Sequence, residues 1–278
     1  MSKQVLPERV DSPSSDYRLS HLASEKGESY HAMFSHNPYR NMIWEFEKRI
    51  LDRILIEFFG NHEIHHLDFA CGTGRILSHF ATRARVSVGI DVSPSMLSVA
   101  RNNQGHSELY EADLTKNDVL GNREFNLITA FRFFANAQPS LREDAMRVLM
   151  KHLGKDGWFV FNNHKNIASV KYRLARLRGR GGFEGMILTE VRNLLAKSGL
   201  KIERKYSIGF IPANEERVFV PVILLRRVEE ILSKCQILKD LGENMVFVCR
   251  RAESNSCADR TISELHKRPY PEFLPWDV

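Results

Sequence analysis

Residues His65–Leu77, HHLDFACGTGRIL, decide the fold. Leu67, Asp68 and Phe69 read as a short buried strand, Gly72-Thr73-Gly74 as a tight turn, and Arg75 onward as the first turns of a helix. This is a strand-loop-helix nucleotide site. Two glycines one residue apart let the backbone turn sharply and let a ligand approach atoms that a side chain would cover. The dinucleotide fingerprint asks for a third small residue, and that place holds Leu77, so the pyrophosphate reading fails on sterics. It fails on charge as well, because a carboxylate at Asp68 repels a diphosphate and attracts an ammonium group. A ligand with a cationic amine and no phosphate fits the stretch.

Working outward, Val86, Val88 and Ile90 alternate as a second strand ending on Asp91, and Ser93-Pro94 opens a helix. Asp91 lies 91 − 68 = 23 residues past Asp68, close to the ~20 at which Rossmann-like units place a ribose-binding acid. The plain alternative is an acid that offsets a helix dipole. A third unit, Leu109–Ala112, ends on Asp113, whose plain alternative is an acidic turn residue. A fourth strand, Phe125–Ala130, delivers Phe131, Arg132 and Phe133 to the crevice where α/β sheets bind ligands. A helix with Leu141, Met146, Val148, Leu149 and Leu153 follows, with Gly154 as its stop, then a fifth strand from Trp158 to Phe161. His164, just past that strand, is the best-placed imidazole to take a proton from a substrate, beside the plainer role of a hydrogen-bonding structural histidine.

The run Asp68-x-Ala70-x-Gly72-x-Gly74 resembles the first motif of the class I S-adenosylmethionine-dependent methyltransferases, acid-x-Gly/Ala-x-Gly-x-Gly, and the resemblance extends over about residues 60–165. It implies S-adenosylmethionine as cofactor. The amino-acid part would lie on Asp68 and the turn Ala70, Cys71, Gly72, Thr73 and Gly74, and the ribose on Asp91. Val92 and Met96 would flank the adenine, Asp113 and Leu114 would read it, and Phe131 would line the methyl-transfer channel. In similar proteins a segment like Lys26-Gly27-x-x-Tyr30 folds over the cofactor, which makes Tyr30 a further candidate. Arg132 and His164 are the substrate-side candidates. Asn37-Pro38-Tyr39 has the letters of the Asn-Pro-aromatic motif of base-amine methyltransferases, but that motif belongs after the fourth strand, where this chain reads AFRF, so we take the match as coincidence.

Alternation of strands and helices predicts a doubly wound, Rossmann-like α/β fold with a mostly parallel seven-stranded sheet and helical lid or insertions. We expect a flexible arm at 1–20, an N-terminal lid and helix at 21–60, the main domain at 61–250 and an irregular tail at 251–278. A lid helix followed by a core helix is expected within 21–60, with Ile43, Phe46, Ile50, Ile54 and Phe58 at helical spacing before Gly60. Within the main domain, 165–183 is a basic segment and 213–243 a helical insertion between the last two strands. The insertion would cap the pocket or make a dimer contact, which leaves monomer and homodimer both open.

The 278 residues are 43% hydrophobic, enough for one substantial core. Forty Lys and Arg against 34 Asp and Glu give a net charge of +6, which permits an anionic partner without requiring one. Cys71, Cys235, Cys249 and Cys257 lack metal spacing, and a disulfide at Cys71 would obstruct the turn, so a reducing cytoplasm is expected and no metal. No run approaches the ~18 apolar residues of a membrane span. Lys165, Lys171, Arg173, Arg176, Arg178 and Arg180 form the basic segment with no acid among them. Such a run is a solvated face, or a surface for RNA, anionic lipid or a phosphorylated molecule. With few stacking aromatics nearby, a small-molecule acceptor such as a sugar, lipid or secondary-metabolite intermediate is the expectation. An RNA methyltransferase, a polyamine synthase and a non-catalytic cofactor-binding module are the rivals.

Overall fold

The computed structural model describes residues 16–18, 37–103, 105–212 and 221–252. Tyr30 and most of the arm and tail lie outside the described residues. The strands are β1 His65–Phe69, β2 Val86–Asp91, β3 Glu108–Glu111, β4 Phe125–Ala130, β5 Leu153–Asn163, β6 Leu200–Ile208 and β7 Asn244–Arg251. They form one seven-stranded sheet in the order β3-β2-β1-β4-β5-β7-β6. β1 to β5 pair in parallel, and β7 alone runs antiparallel between β5 and β6. The strand order reverses between β1 and β4, which opens a crevice at their carboxyl ends.

The helices are α1 Pro38–Ile54, α2 Arg75–Ala81, α3 Pro94–Asn103, α4 Pro139–His152, α5 Val170–Leu177, α6 Leu188–Lys197 and α7 Val222–Lys234. Side chains that alternate along each strand feed two cores. Met245, Phe247 and Cys249 pack with α4 and α6 on one face, while Val246 and Val248 pack with α1, α2 and α7 on the other. A sheet covered on both faces can carry continuous apolar strands, as β4 and β7 do.

Asn37 caps α1: its Oδ1 accepts from the Arg40 N–H at 3.0 Å, and Pro38 takes the first helical position. The Asn-Pro-aromatic letters are therefore a helix start. The apolar stripe read at 43, 46, 50 and 54 is buried as expected, but the helix loosens into a single π turn, Leu55–Phe59, before Gly60. α4 stops at His152, and Leu153 and Gly154 already belong to β5, correcting the helix stop placed at Gly154. Leu153 pairs with Phe125 through a register shift in β4, a pairing that local sequence does not announce.

Candidate active site

The hollow at the crevice holds about 900 Å³ of open space, its mouth included. Its floor is built by register. His66 and Asp68, two apart in β1, share a face, and Asp68 is paired across the sheet with Thr129 of β4. The Thr129 hydroxyl donates to Asp68 Oδ1 at 2.6 Å, and His66 Nε2 lies 2.8 Å from the same hydroxyl. Because Thr129 has one hydrogen to give, His66 donates from Nε2 when Asp68 is ionised. Burial pushes the His66 imidazole down to about 3, so it is neutral at physiological pH.

Asp68 is 1% exposed, and its Oδ2 makes no hydrogen bond with the described residues. Burial pushes its acid up to about 7 and the charge of Asp91 adds to that rise, while the Thr129 hydrogen bond, the Leu77 backbone N–H and the charge of Arg75 oppose it. An orphaned carboxylate oxygen on the wall of an open hollow asks for a cation.

The glycine turn stands directly above. Ala70, Gly72 and Gly74 all have positive φ, at 55°, 55° and 77°. At Gly74 the choice is also steric, since a Cβ would sit 3.1 Å from the Ala100 Cβ of α3. Asp91 closes the turn from β2: Oδ2 accepts the Gly72 N–H at 2.8 Å and Oδ1 accepts the Ser93 N–H at 2.9 Å. Burial raises the Asp91 acid, against the Ser93 and Gly72 hydrogen bonds. Each oxygen keeps a second lone pair for a ligand hydroxyl.

Of the residues singled out from sequence, Asp68, Ala70, Cys71, Gly72, Thr73, Asp91, Val92, Met96, Asp113, Phe131 and Arg132 line this one hollow. Gly74 sits at the start of α2, off the lining, and serves the turn. The Leu114 side chain is buried in the core, and Ala112 and Thr115 line the wall on either side of Asp113. His164 stands one contact behind the wall: its Nε2 is 3.5 Å from Asn136 Nδ2, which also donates to the Arg132 carbonyl at 2.6 Å. Burial, and then the charges of Arg132 and Lys165, hold its imidazole well below the usual value.

The hollow also recruits residues that sequence reasoning passed over. Tyr17 and Arg18, in a stretch read as an arm without chemistry, line the wall. Arg18 Nη1 donates to Asp113 Oδ2 at 2.9 Å, and Tyr17 packs edge-on against Phe133 and donates to the Arg132 carbonyl at 3.3 Å. No spacing rule connects positions 95 or 115 residues apart. Arg75, by contrast, follows Gly74 directly and could have been nominated; it lines the hollow with its guanidinium 4.9 Å from the Trp44 ring of α1.

Beyond Arg132 lies a buried polar frame. Arg132 has φ 60°, costly for a side chain of its kind, and its N–H is held by Asn162 Oδ1 at 2.6 Å. Asn162 and Asn244 both donate to Glu47 Oε1, at 3.3 and 2.7 Å, and Arg132 Nη2 lies 3.9 Å from the same oxygen. Among the described residues no cluster of acids, histidines or cysteines could hold a metal ion.

Residues 67–157 match the protein family described as "Methyltransferase domain". A carboxy-S-adenosyl-L-methionine synthase from Sulfurimonas denitrificans is 25% identical over 148 residues, covering 46% of this chain. The matched region is 62% of that relative's length. Among solved structures, magnesium protoporphyrin IX methyltransferase from Synechocystis aligns with TM-score 0.56 at 11% identity, over 81% of this chain and 94% of its own. The N-methyltransferase NodS from Bradyrhizobium japonicum gives 0.54 at 14%, over 83% and 100%. Residues 67–157 are thus a methyltransferase domain, and the chain around them has the class I S-adenosylmethionine-dependent methyltransferase fold.

Proposed function

We propose that the protein is an S-adenosylmethionine-dependent methyltransferase acting on a hydroxyl or amine of a small molecule. The observation that carries the reading is Asp68 Oδ2, buried without a hydrogen-bond partner on the wall of the hollow, next to a positive-φ glycine turn. That is the acceptor an amino acid's ammonium group needs. The relative named for carboxy-S-adenosyl-L-methionine and the NodS structure, solved with S-adenosyl-L-homocysteine, support the same ligand class.

When bound, S-adenosylmethionine supplies a methyl group made electrophilic by its sulfonium. The chain's own task is then alignment and exclusion of water, worth up to roughly 7 to 11 kcal/mol through proximity and orientation. Asp68 accepts from the ammonium, and Arg75 balances the carboxylate beside it. Asp91 takes the ribose hydroxyls with the lone pairs its backbone partners leave. Asp113 faces the adenine amino group, between Val92 and Met96 as apolar walls. Phe131 and Arg132 stand on the β4 side, where the acceptor approaches. His164 supports Asn136 and, through it, the carbonyl of Arg132, so we assign it no proton transfer.

The largely apolar wall of Phe69, Phe131, Phe133 and Leu141 favours a compact acceptor over an extended nucleic acid. The test is calorimetric titration with S-adenosylmethionine and S-adenosylhomocysteine, followed by transfer of labelled methyl to a panel of hydroxyl and amine acceptors. Failure to bind either ligand sinks the enzyme reading. Binding without transfer to any acceptor favours a non-catalytic module.

A further inference from the structure

Nine large apolar side chains are well exposed among the described residues, and six of them fall on two neighbouring segments. Leu177 ends α5, Ile223, Leu224, Val228 and Ile231 lie on α7, and Ile237 sits in the short turn Gln236–Leu238 behind it. The start of α5 is tied to the chain just behind that turn. The Val170 N–H donates to the Leu241 carbonyl at 3.1 Å, and the Asn166 amide donates to the carbonyls of Asp240 and Gly242 at 2.9 Å. Both helices follow the carboxyl ends of strands, the edge on which the hollow opens.

α7 is turned opposite to a core helix. Its buried residues are Leu225 and Glu229, four apart. The Glu229 carboxylate accepts the Gly209 and Phe210 N–H groups, the latter at 3.2 and 3.1 Å, which fixes that side against the end of β6. Positions 223, 224, 227, 228, 231 and 234 then make one outward stripe of four aliphatic side chains with Arg227 and Lys234. Ile223 is 75% exposed and Ile231 68%. A helix so anchored cannot roll its aliphatic side inward without tearing a buried carboxylate from its partners.

α5 supplies charge. None of its residues is buried; Arg173, Arg176 and Leu177 share a stripe at i, i+3 and i+4, and Arg178 and Arg180 are exposed just past its end. Across 170–180 and 221–239 the acids are Glu229, which is buried, and Glu230, which pairs with Arg49 at 3.0 Å. Nearby Glu243 and Asp240 are paired with Lys171 and Lys205. Among the described residues the outward charge of this face is therefore positive.

We propose that α5, α7 and the turn Gln236–Leu238 form a docking face for an anionic phospholipid bilayer, on which the protein lies without crossing it. Aliphatic side chains enter the acyl boundary while guanidinium and ammonium groups meet lipid phosphates, the division of labour of interfacial helices. No helix among the described residues is long and apolar enough to cross a membrane. RNA would satisfy the cations and leave the isoleucines wet. A second copy joined about a two-fold axis would cover the isoleucines and set like cations against each other.

The test sediments the full chain with vesicles of phosphatidylcholine alone and of equal parts phosphatidylcholine and phosphatidylglycerol. The expected result is partition onto the anionic vesicles that weakens with salt and is far lower on the neutral ones. The triple variant Arg176→Glu, Arg178→Glu, Arg180→Glu should lower that partition by on the order of a hundredfold or more, at about fivefold for each arginine lost. Ile223→Asp with Ile231→Asp should lower it as well; all five positions are exposed, and circular dichroism melting confirms that the variants fold. Partition that neither variant changes, or none onto anionic vesicles, overturns the proposal. So does a dimer abolished by the isoleucine variant, or retention on poly(U) lost in the arginine variant, when either occurs without vesicle partition.

Discussion

The Thr129 hydroxyl donates to Asp68 Oδ1 across 2.6 Å, which leaves Oδ2 as the one oxygen of that carboxylate with no hydrogen-bond partner among the described residues. β1 provides the acid and β4 the hydroxyl, and the parallel pairing of Asp68 with Thr129 sets one against the other. The hydrogen bond favours the carboxylate, while burial favours the acid, and burial wins.

Ligand affinity should therefore depend on pH. With the Asp68 acid near 7 in the free protein, an ammonium ligand meets a largely protonated partner at lower pH. S-adenosylhomocysteine affinity should fall by up to about tenfold per pH unit below that value and level off above it. The sign for stability is opposite: the folded state holds this proton more tightly than the unfolded chain, so this group's contribution weakens as pH rises from about 4 to about 7. Calorimetry across that range checks the first statement, and Asp68→Asn should flatten the profile. A profile equally steep in that variant would assign the dependence to another group.

Asp91→Ala should weaken S-adenosylhomocysteine binding by roughly 1.5 to 3 kcal/mol, the range for hydrogen bonds to a charged group. The variant also frees the Gly72 N–H, held at 2.8 Å, so the turn itself loosens. Asp91→Asn keeps one acceptor oxygen and should lose less. Dissociation constants from the same titration rank the three proteins, and equal values would remove Asp91 from the site.

Gly72→Ala and Gly74→Ala separate backbone strain from crowding. Both positions have positive φ, but a Cβ at Gly72 meets nothing within 4 Å, while one at Gly74 lies 3.1 Å from Ala100 Cβ. We expect Gly72→Ala to cost about 1 kcal/mol and Gly74→Ala about 1 to 3 kcal/mol more. Urea denaturation midpoints measure the difference.

Glu47→Ala should cost about 2 to 4 kcal/mol, because the donors of Asn162 and Asn244 and the charge of Arg132 would lose the buried oxygen they share. Glu47→Gln keeps an acceptor and should recover much of that loss. If the two variants melt alike, the frame does not depend on this carboxylate.

The amino-acid order alone determined the sheet's parallel core and most of the wall of the hollow. Asp68, the turn Gly72–Gly74, Asp91 and Asp113 sit at strand ends, where hydrophobic periodicity and turn chemistry are local signals that fix both the element and its end. The helix at 38–54 was legible in part: its apolar stripe recurs at helical spacing, whereas the cap at Asn37 and Pro38 passed as a chance motif match. Tertiary structure decided what depends on distant partners. The register of β1 on β4 joins Asp68 to Thr129 and His66, Arg18 reaches Asp113 across 95 residues, and Glu47 meets Asn162 and Asn244 from three separate elements. It also turned α7 so that Glu229 faces inward and the isoleucines face outward, which the same amphipathic pattern would place the other way. Periodicity says that a helix has two faces; only the buried hydrogen bonds of its neighbours say which one is covered.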